Sequence, residues 1–80
     1  MKYVYLLESI VDPIQKYVGL TDDLKSRLIK HNAGGSPHTA KYRPWRLVTY
    51  LGFSNSDKAV QFERYLKTHS GRAFANKHLR

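Results

Sequence analysis

Five side chains in this sequence, Tyr5, Tyr17, Arg27, His31 and Glu63, are of types and spacings suited to proton and anion chemistry. Two phenols on one strand face form such a pair, although tyrosines are also ordinary half-buried strand residues. Arg27 and His31 are four apart, so on a helix they stack on successive turns and offer a phosphate clamp beside a proton carrier. The plainer reading is a pair of long side chains snorkelling from the margin of an apolar face. Glu63 falls within about 60° of the core-facing stripe of a second helix at 3.6 residues per turn. A carboxylate there is costly unless paired, hydrogen-bonded or bound to metal. A buried ion pair with Arg27 is the simplest structural explanation.

Such groups need a sheet and helices to bring them together. Tyr3-Val4-Tyr5-Leu6-Leu7 and Lys16-Tyr17-Val18-Gly19-Leu20 are rich in β-branched and aromatic residues, and Asp12-Pro13 between them supplies turn chemistry, which predicts a hairpin. Centred near Val11, that hairpin sets Tyr5 opposite Tyr17 and Tyr3 opposite Gly19. A helix follows, with Thr21 as N-cap, Asp22 and Asp23 at its positive end, Leu24 and Leu28 facing inward, and Asn32-Ala33-Gly34-Gly35 as its stop. Residues 34–44 read as a long polar loop and residues 45–53 as a third strand. Ser54 with Asp57 opens the second helix, whose core face is Ala59, Phe62 and Leu66, and Gly71 is expected to end it. A short helical piece over residues 72–79 is expected to dock Phe74 and Leu79 on the core.

Eighty residues make one small domain, residues 1–80, with room for a single site. Fourteen Lys and Arg against six Asp and Glu give a net charge of +8, which draws the chain toward polyanions, nucleic acid above all. Lys41, Arg43 and Arg46 are interleaved with Tyr42 and Trp45, a mixture suited to phosphates and unstacked bases. The absence of cysteine excludes disulfides and thiolate zinc sites, and His38, His69 and His78 are too scattered for a zinc site. No apolar run approaches a membrane span and no signal-peptide pattern is present, so the expected setting is cytoplasmic, with no membrane partner.

Tyr3-Val4-Tyr5 and Tyr17-Val18-Gly19, then Arg27 with His31, Glu63 and finally Asn76, resemble in order and spacing the GIY-YIG nuclease family. The resemblance covers essentially the whole chain and is strongest to small stand-alone bacterial members related to the UvrC nuclease domain and the Slx1 endonucleases. Tyr3 stands where the first signature has glycine, and valine replaces isoleucine in both triplets. The resemblance implies an α/β (α+β) fold, a small three-stranded sheet flanked by helices, and phosphodiester hydrolysis with one divalent ion, Mg²⁺ or Mn²⁺. By that analogy Glu63 holds the metal, Arg27 contacts the scissile phosphate, and Tyr5 and Tyr17 position the attacking water, one of them as base. His31 takes or relays the proton, Asn76 bonds a phosphate or orients the site, and Lys16 is a further phosphate contact.

The resulting expectation is a metal-dependent, structure-selective DNA endonuclease linked to repair or recombination, with a protein partner or a second copy supplying specificity. No reading helix is evident, which argues against sequence-specific recognition. The alternative is a catalytically silent nucleic-acid-binding module on the same fold.

Overall fold

The structure, a computed structural model, describes residues 1–80. Strand β1 (Lys2–Ser9) is the centre of a three-stranded antiparallel sheet in the order β2-β1-β3, with β2 at Lys16–Thr21 and β3 at Trp45–Phe53. Helices α1 (Leu24–Asn32) and α2 (Pro37–Ala40) cover one face. Helices α3 (Ser56–Leu66) and α4 (His69–His78) cover the other.

Period-two alternation along β1 divides the core accordingly. Val4 and Leu6 are fully buried on the α3/α4 side with Ala59, Leu66 and Ala75, while Tyr5 and Leu7 are buried on the α1/α2 side with Trp45. An alternating burial with both faces covered explains why β1 reads as a nearly continuous apolar run.

The hairpin register differs from expectation by two residues. Tyr5 faces Gly19, Leu7 faces Tyr17 and Tyr3 faces Thr21. The connection, residues 10–15, is closed by Ser9 N–H donating to the Gln15 carbonyl at 3.0 Å and by Asp12 N–H donating to Ser9 Oγ at 3.1 Å. A shift of two keeps each side chain on its face, so Tyr5 and Tyr17 remain together as diagonal neighbours. On β3, Leu6 pairs with Thr49 but Leu7 with Leu47, leaving Val48 as a bulge. The bulge accounts for the imperfect alternation of that strand and turns Leu47 toward the tyrosine side.

Several element ends also differ. Asp23, not Thr21, caps α1 and accepts from Ser26 N–H at 3.1 Å, while Thr21 Oγ1 instead receives the Asp23 N–H. Asn55, not Ser54, caps α3 by accepting from Lys58 N–H. Gly71 is no helix stop: α3 has already ended, and Gly71 lies in the first turn of α4 behind the Thr68 cap. A Cβ at Gly71 would lie 1.7 Å from the Tyr65 carbonyl oxygen, so the close approach of α4 to α3 requires glycine. Phe74, 37% exposed, stacks beside Phe62 and Tyr65 on the outer side of α3, and Ala75 is the buried residue of α4. Leu79 packs on the core as expected. The stretch read as open loop contains α2, preceded by Gly34 at φ +80°, which terminates α1.

Candidate active site

Tyr5 is the centre of the site because its ring lies across the backbone of the neighbouring strand. A Cβ on Gly19 would come within 2.3 Å of the Tyr5 hydroxyl oxygen, so the residue facing Tyr5 can have no side chain. The ring thereby reaches α1, where its hydroxyl lies 2.9 Å from His31 Nε2 and 3.4 Å from Arg27 Nε. Arg27 and His31 face the sheet from successive turns, as their spacing predicts.

His31 is 1% exposed, and its other ring nitrogen, Nδ1, lies 2.7 Å from Thr39 Oγ1 on α2. Thr39 Oγ1 in turn donates to the Ser36 carbonyl at 3.4 Å. A hydroxyl has one hydrogen to give, so Thr39 accepts from His31 Nδ1–H. That leaves His31 Nε2 bare to accept from the Tyr5 hydroxyl, whose oxygen accepts from Arg27 Nε–H. The five groups from Arg27 to Ser36 form one directed hydrogen-bond chain. The frame is pinned further along by Trp45, whose indole Nε1–H donates to the Thr39 carbonyl at 2.8 Å. Asn32, at the end of α1, brackets the Trp45 backbone, accepting from its N–H at 2.6 Å and donating to its carbonyl at 3.1 Å.

Electrostatics follow the same geometry. Burial pushes the Tyr5 hydroxyl above its ordinary 10.0, the Arg27 hydrogen bond opposes that shift, and neighbouring Tyr17 adds to it. Burial, then the charges of Arg27 and Lys30, holds His31 below its ordinary 6.5. Arg27 is held above its usual value chiefly by its bond to Tyr5, with Tyr17 acting in the same sense. At neutral pH the resting pair is a neutral phenol donating to a neutral imidazole, with a fixed positive charge beside them.

The two tyrosines, given one role from sequence, occupy different environments. Tyr5 is 2% exposed, whereas Tyr17 is half-buried, with its ring centroid 6.1 Å from that of Tyr5 and 4.9 Å from that of His31. Its neighbours Lys16 and Val18, with Asn76, line a cavity of about 500 Å³ between the hairpin tip and α3/α4, on the face of β2 opposite the Tyr17 ring. As the less buried of the two, Tyr17 is the phenol available to a substrate.

Glu63 comes from the opposite layer. Its side chain is only 14% exposed, and the ion pair expected with Arg27 does not form: Lys67, four residues on, takes that place. Phe62 leans toward Phe53 on β3, with ring centroids 5.6 Å apart. Glu63, about 100° further round the helix, leans away from β3 toward β2, the strand that carries Tyr17. Lys16 bonds the Pro13 carbonyl at 2.7 Å and pairs with Glu8 at 3.5 Å. In the basic stretch, Lys41 lies over the Tyr42 ring, Arg43 rests against Gly34, and Arg46 pairs with Glu8 at 2.8 Å.

Sequence reasoning passed over Thr39, Asn32 and the purpose of Gly19. Ser36-Pro37 is an N-cap followed by proline at the first helical position, a signal that locates α2 and with it Thr39. No local signal pairs Thr39 with His31.

A family model described as the GIY-YIG catalytic domain matches residues 1–78. The chain belongs to the GIY-YIG family. It is 37% identical over 75 residues to a protein of Giardia intestinalis named structure-specific endonuclease subunit SLX1 homolog, matching 89% of this chain and 21% of that one. It is 42% identical over 71 residues to structure-specific endonuclease subunit SLX1 of Candida dubliniensis, matching 80% of this chain and 25% of that one. The chain thus spans a minor part of those subunits' length. A UPF0213 protein of Streptococcus pyogenes serotype M3 is 36% identical over 72 residues, with 89% of this chain and 76% of that one matched. The solved structure of a UPF0213 protein from Bacillus halodurans shares the fold with a TM-score of 0.57 and 30% identity, covering 96% of this chain and 84% of that one.

Within the GIY-YIG frame, the close approach of Tyr5 gives the second triplet a physical reason for its glycine. The first triplet has Tyr3 in place of glycine, and the cross-strand partner of Tyr3 on β3 is Gly52, whose added Cβ would meet the Tyr3 ring at 3.1 Å. Space for the extra ring is made on β3, away from the Tyr5 cluster.

Proposed function

We propose that this GIY-YIG chain is a metal-dependent DNA endonuclease that selects substrates by structure and serves DNA repair or recombination. The observation that carries the reading is the directed chain from Arg27 through Tyr5 and His31 to Thr39. A buried phenol–imidazole pair with a half-buried arginine on the phenol, beside a second and more accessible phenol, is built to orient a nucleophile and remove its proton. The Giardia and Candida relatives are structure-specific endonuclease subunits by name, which supports endonuclease activity with selection by structure.

Glu63 suits one hard divalent ion, Mg²⁺ or Mn²⁺. It is a largely buried carboxylate whose one cationic partner, Lys67, is a mobile ammonium on a flexible stem, and such ions keep several waters, so a single carboxylate anchors them. When bound, the ion supplies Lewis-acid charge that activates water and offsets charge on the phosphate. Tyr17, the less buried phenol, orients the water. Arg27 donates to the scissile phosphate with the guanidinium edge that Tyr5 leaves free. Since the Tyr5 hydroxyl lies above 10.0 and His31 below 6.5, the phenolate is no resting species. The proton from water passes to the Tyr5 oxygen as the Tyr5 proton moves to His31 Nε2. Asn76 and Lys16 bond flanking phosphate oxygens, and Lys41 and Arg43 extend the DNA contact. A protein partner or second copy supplies further specificity.

A second reading, a nucleic-acid-binding module without catalysis, is favoured by the Glu63–Lys67 pair, which leaves no unpaired carboxylate for a metal. Cleavage of flapped, branched and plain duplex DNA with Mg²⁺ and with Mn²⁺ separates the two. Glu63→Gln should lower cleavage by about 10²–10³-fold, the scale of losing one transition-state charge contact. It should leave stability within about 0.5 kcal/mol, since an i,i+4 pair contributes little. A wild type that binds DNA but cuts no form with either metal would establish the binding module.

A further inference from the structure

The cavity beside Tyr17 lies on the α3/α4 side of the sheet and is walled by four cations, Lys16, Lys67, Arg72 and Arg80, with no carboxylate among its lining residues. Lys16 and Lys67 are paired with Glu8 and Glu63, but Arg72 and Arg80 have no ion-pair partner. Two nitrogens of Arg80, Nε and Nη1, are buried without a hydrogen-bond acceptor. Buried donors left unpaired are costly and rare, and the guanidinium nitrogen outside that pair, Nη2, is the one left to meet an anion. Burial lowers the pKa of Arg80, and the charge of Glu8 offsets only part of that shift. Between the cations lies an apolar panel of Val18 and Leu66, and Ile14, 84% exposed, stands at the rim.

We propose that this cavity receives one unpaired nucleotide of a DNA strand, its phosphate on Arg72 and Arg80 and its base against Val18, Leu66 and Ile14. The proposal rests on the nuclease reading and extends it to the origin of structure selectivity. A volume of about 500 Å³ is in the range of small-ligand pockets and suits a single nucleotide, whereas a base pair with both its strands has no way in. A bare phosphate would leave the apolar panel unused. Tyr17 lies on the edge strand β2 that borders this cavity, with its ring on the opposite face in the tyrosine–histidine cluster. A DNA strand that seats a nucleotide here and continues over the edge of β2 brings the adjoining phosphodiester to the Tyr17 ring, and a flap or branch supplies such a nucleotide where a continuous duplex does not.

The test is binding without metal. Affinities for a fluorescent single strand, a flapped duplex and a blunt duplex are measured in EDTA by anisotropy for the wild type and for the Arg72→Gln/Arg80→Gln double variant. The wild type should prefer the single strand and the flap over the blunt duplex. The double variant should lose affinity for those two on the order of tenfold per guanidinium, with much less change on the blunt duplex. Its single-strand salt slope should flatten by about 1.4, at roughly 0.7 per lost phosphate contact. Equal losses on all three DNAs, or an unchanged single-strand affinity, would overturn the proposal. Arg72→Gln alone, at an exposed position, gives the same reading if the double variant melts early. Because binding is read without metal, a wild type and double variant that behave as expected here, while the wild type cuts no DNA in the separate Mg²⁺ and Mn²⁺ assays, defeat the nuclease reading and leave the cavity's occupant established.

Discussion

The two faces of the sheet are built on opposite principles. Under α3 and α4 the buried residues are apolar, Val4, Leu6, Ala59, Leu66 and Ala75, and the polar groups of interest, Glu63, Asn76 and the four cations, stand at the margin. Under α1 and α2 the polar groups are the core: Tyr5, His31 and Thr39 are each at most 2% exposed and bonded to one another. A buried polar network is stabilising only when every member is satisfied, so chemistry and folding cannot be separated there. On the margin of the other face they can be, because exposed groups change with little effect on stability.

The same contrast between buried network and margin runs within the tyrosine face, from Tyr5 to the half-buried Tyr17, and removing one hydroxyl from each tests it most sharply. Tyr5→Phe strands the bare Nε2 of His31 and one donor of Arg27, and should cost about 1–3 kcal/mol. In a domain of this size that corresponds to a fall in melting temperature of about 4–8 °C per kcal/mol. Tyr17→Phe should melt within about 0.5 kcal/mol of wild type yet lose cleavage. Equal melting of the two variants would show that the buried chain contributes no more to stability than the half-buried Tyr17 hydroxyl does.

Acid sharpens the contrast further. His31 binds its proton less readily folded than unfolded, so below about pH 6.5 the unfolded state holds more protons and stability falls as pH is lowered toward the folded pKa. Above that window the contribution is complete. His31→Gln should remove this step from a series of melts between pH 8 and pH 5, values chosen to span the ordinary histidine range. Retention of the step in the variant would assign it to another group.

The smallest effect concerns the basic stretch. Replacement of Lys41, Arg43 and Arg46 by Ala should flatten the salt dependence of duplex binding by about 1.8, that is roughly 0.9 for each of Lys41 and Arg43. Arg46 should contribute little, because Glu8 already occupies it. A change nearer three contacts would mean that DNA displaces the Glu8 pair.

The sequence alone determined whatever depends on backbone periodicity. Tyr5 and Tyr17 share a face whether the hairpin is centred on Val11 or displaced, because a shift of two preserves parity. Arg27 and His31 point the same way because they are four apart on a helix, and Glu63 turns inward with Ala59 and Leu66 for the same reason. Gly19 was legible as part of a motif, while its cause, the Tyr5 ring crossing its Cα, is a contact between strands. Only the tertiary structure decided partners across layers: Thr39 for His31, Lys67 rather than Arg27 for Glu63, and Arg72 and Arg80 beside Tyr17. Those pairings follow from which face each helix covers and where a loop turns back. Loop closure and side-chain packing settle both, and neither leaves a period in the chain.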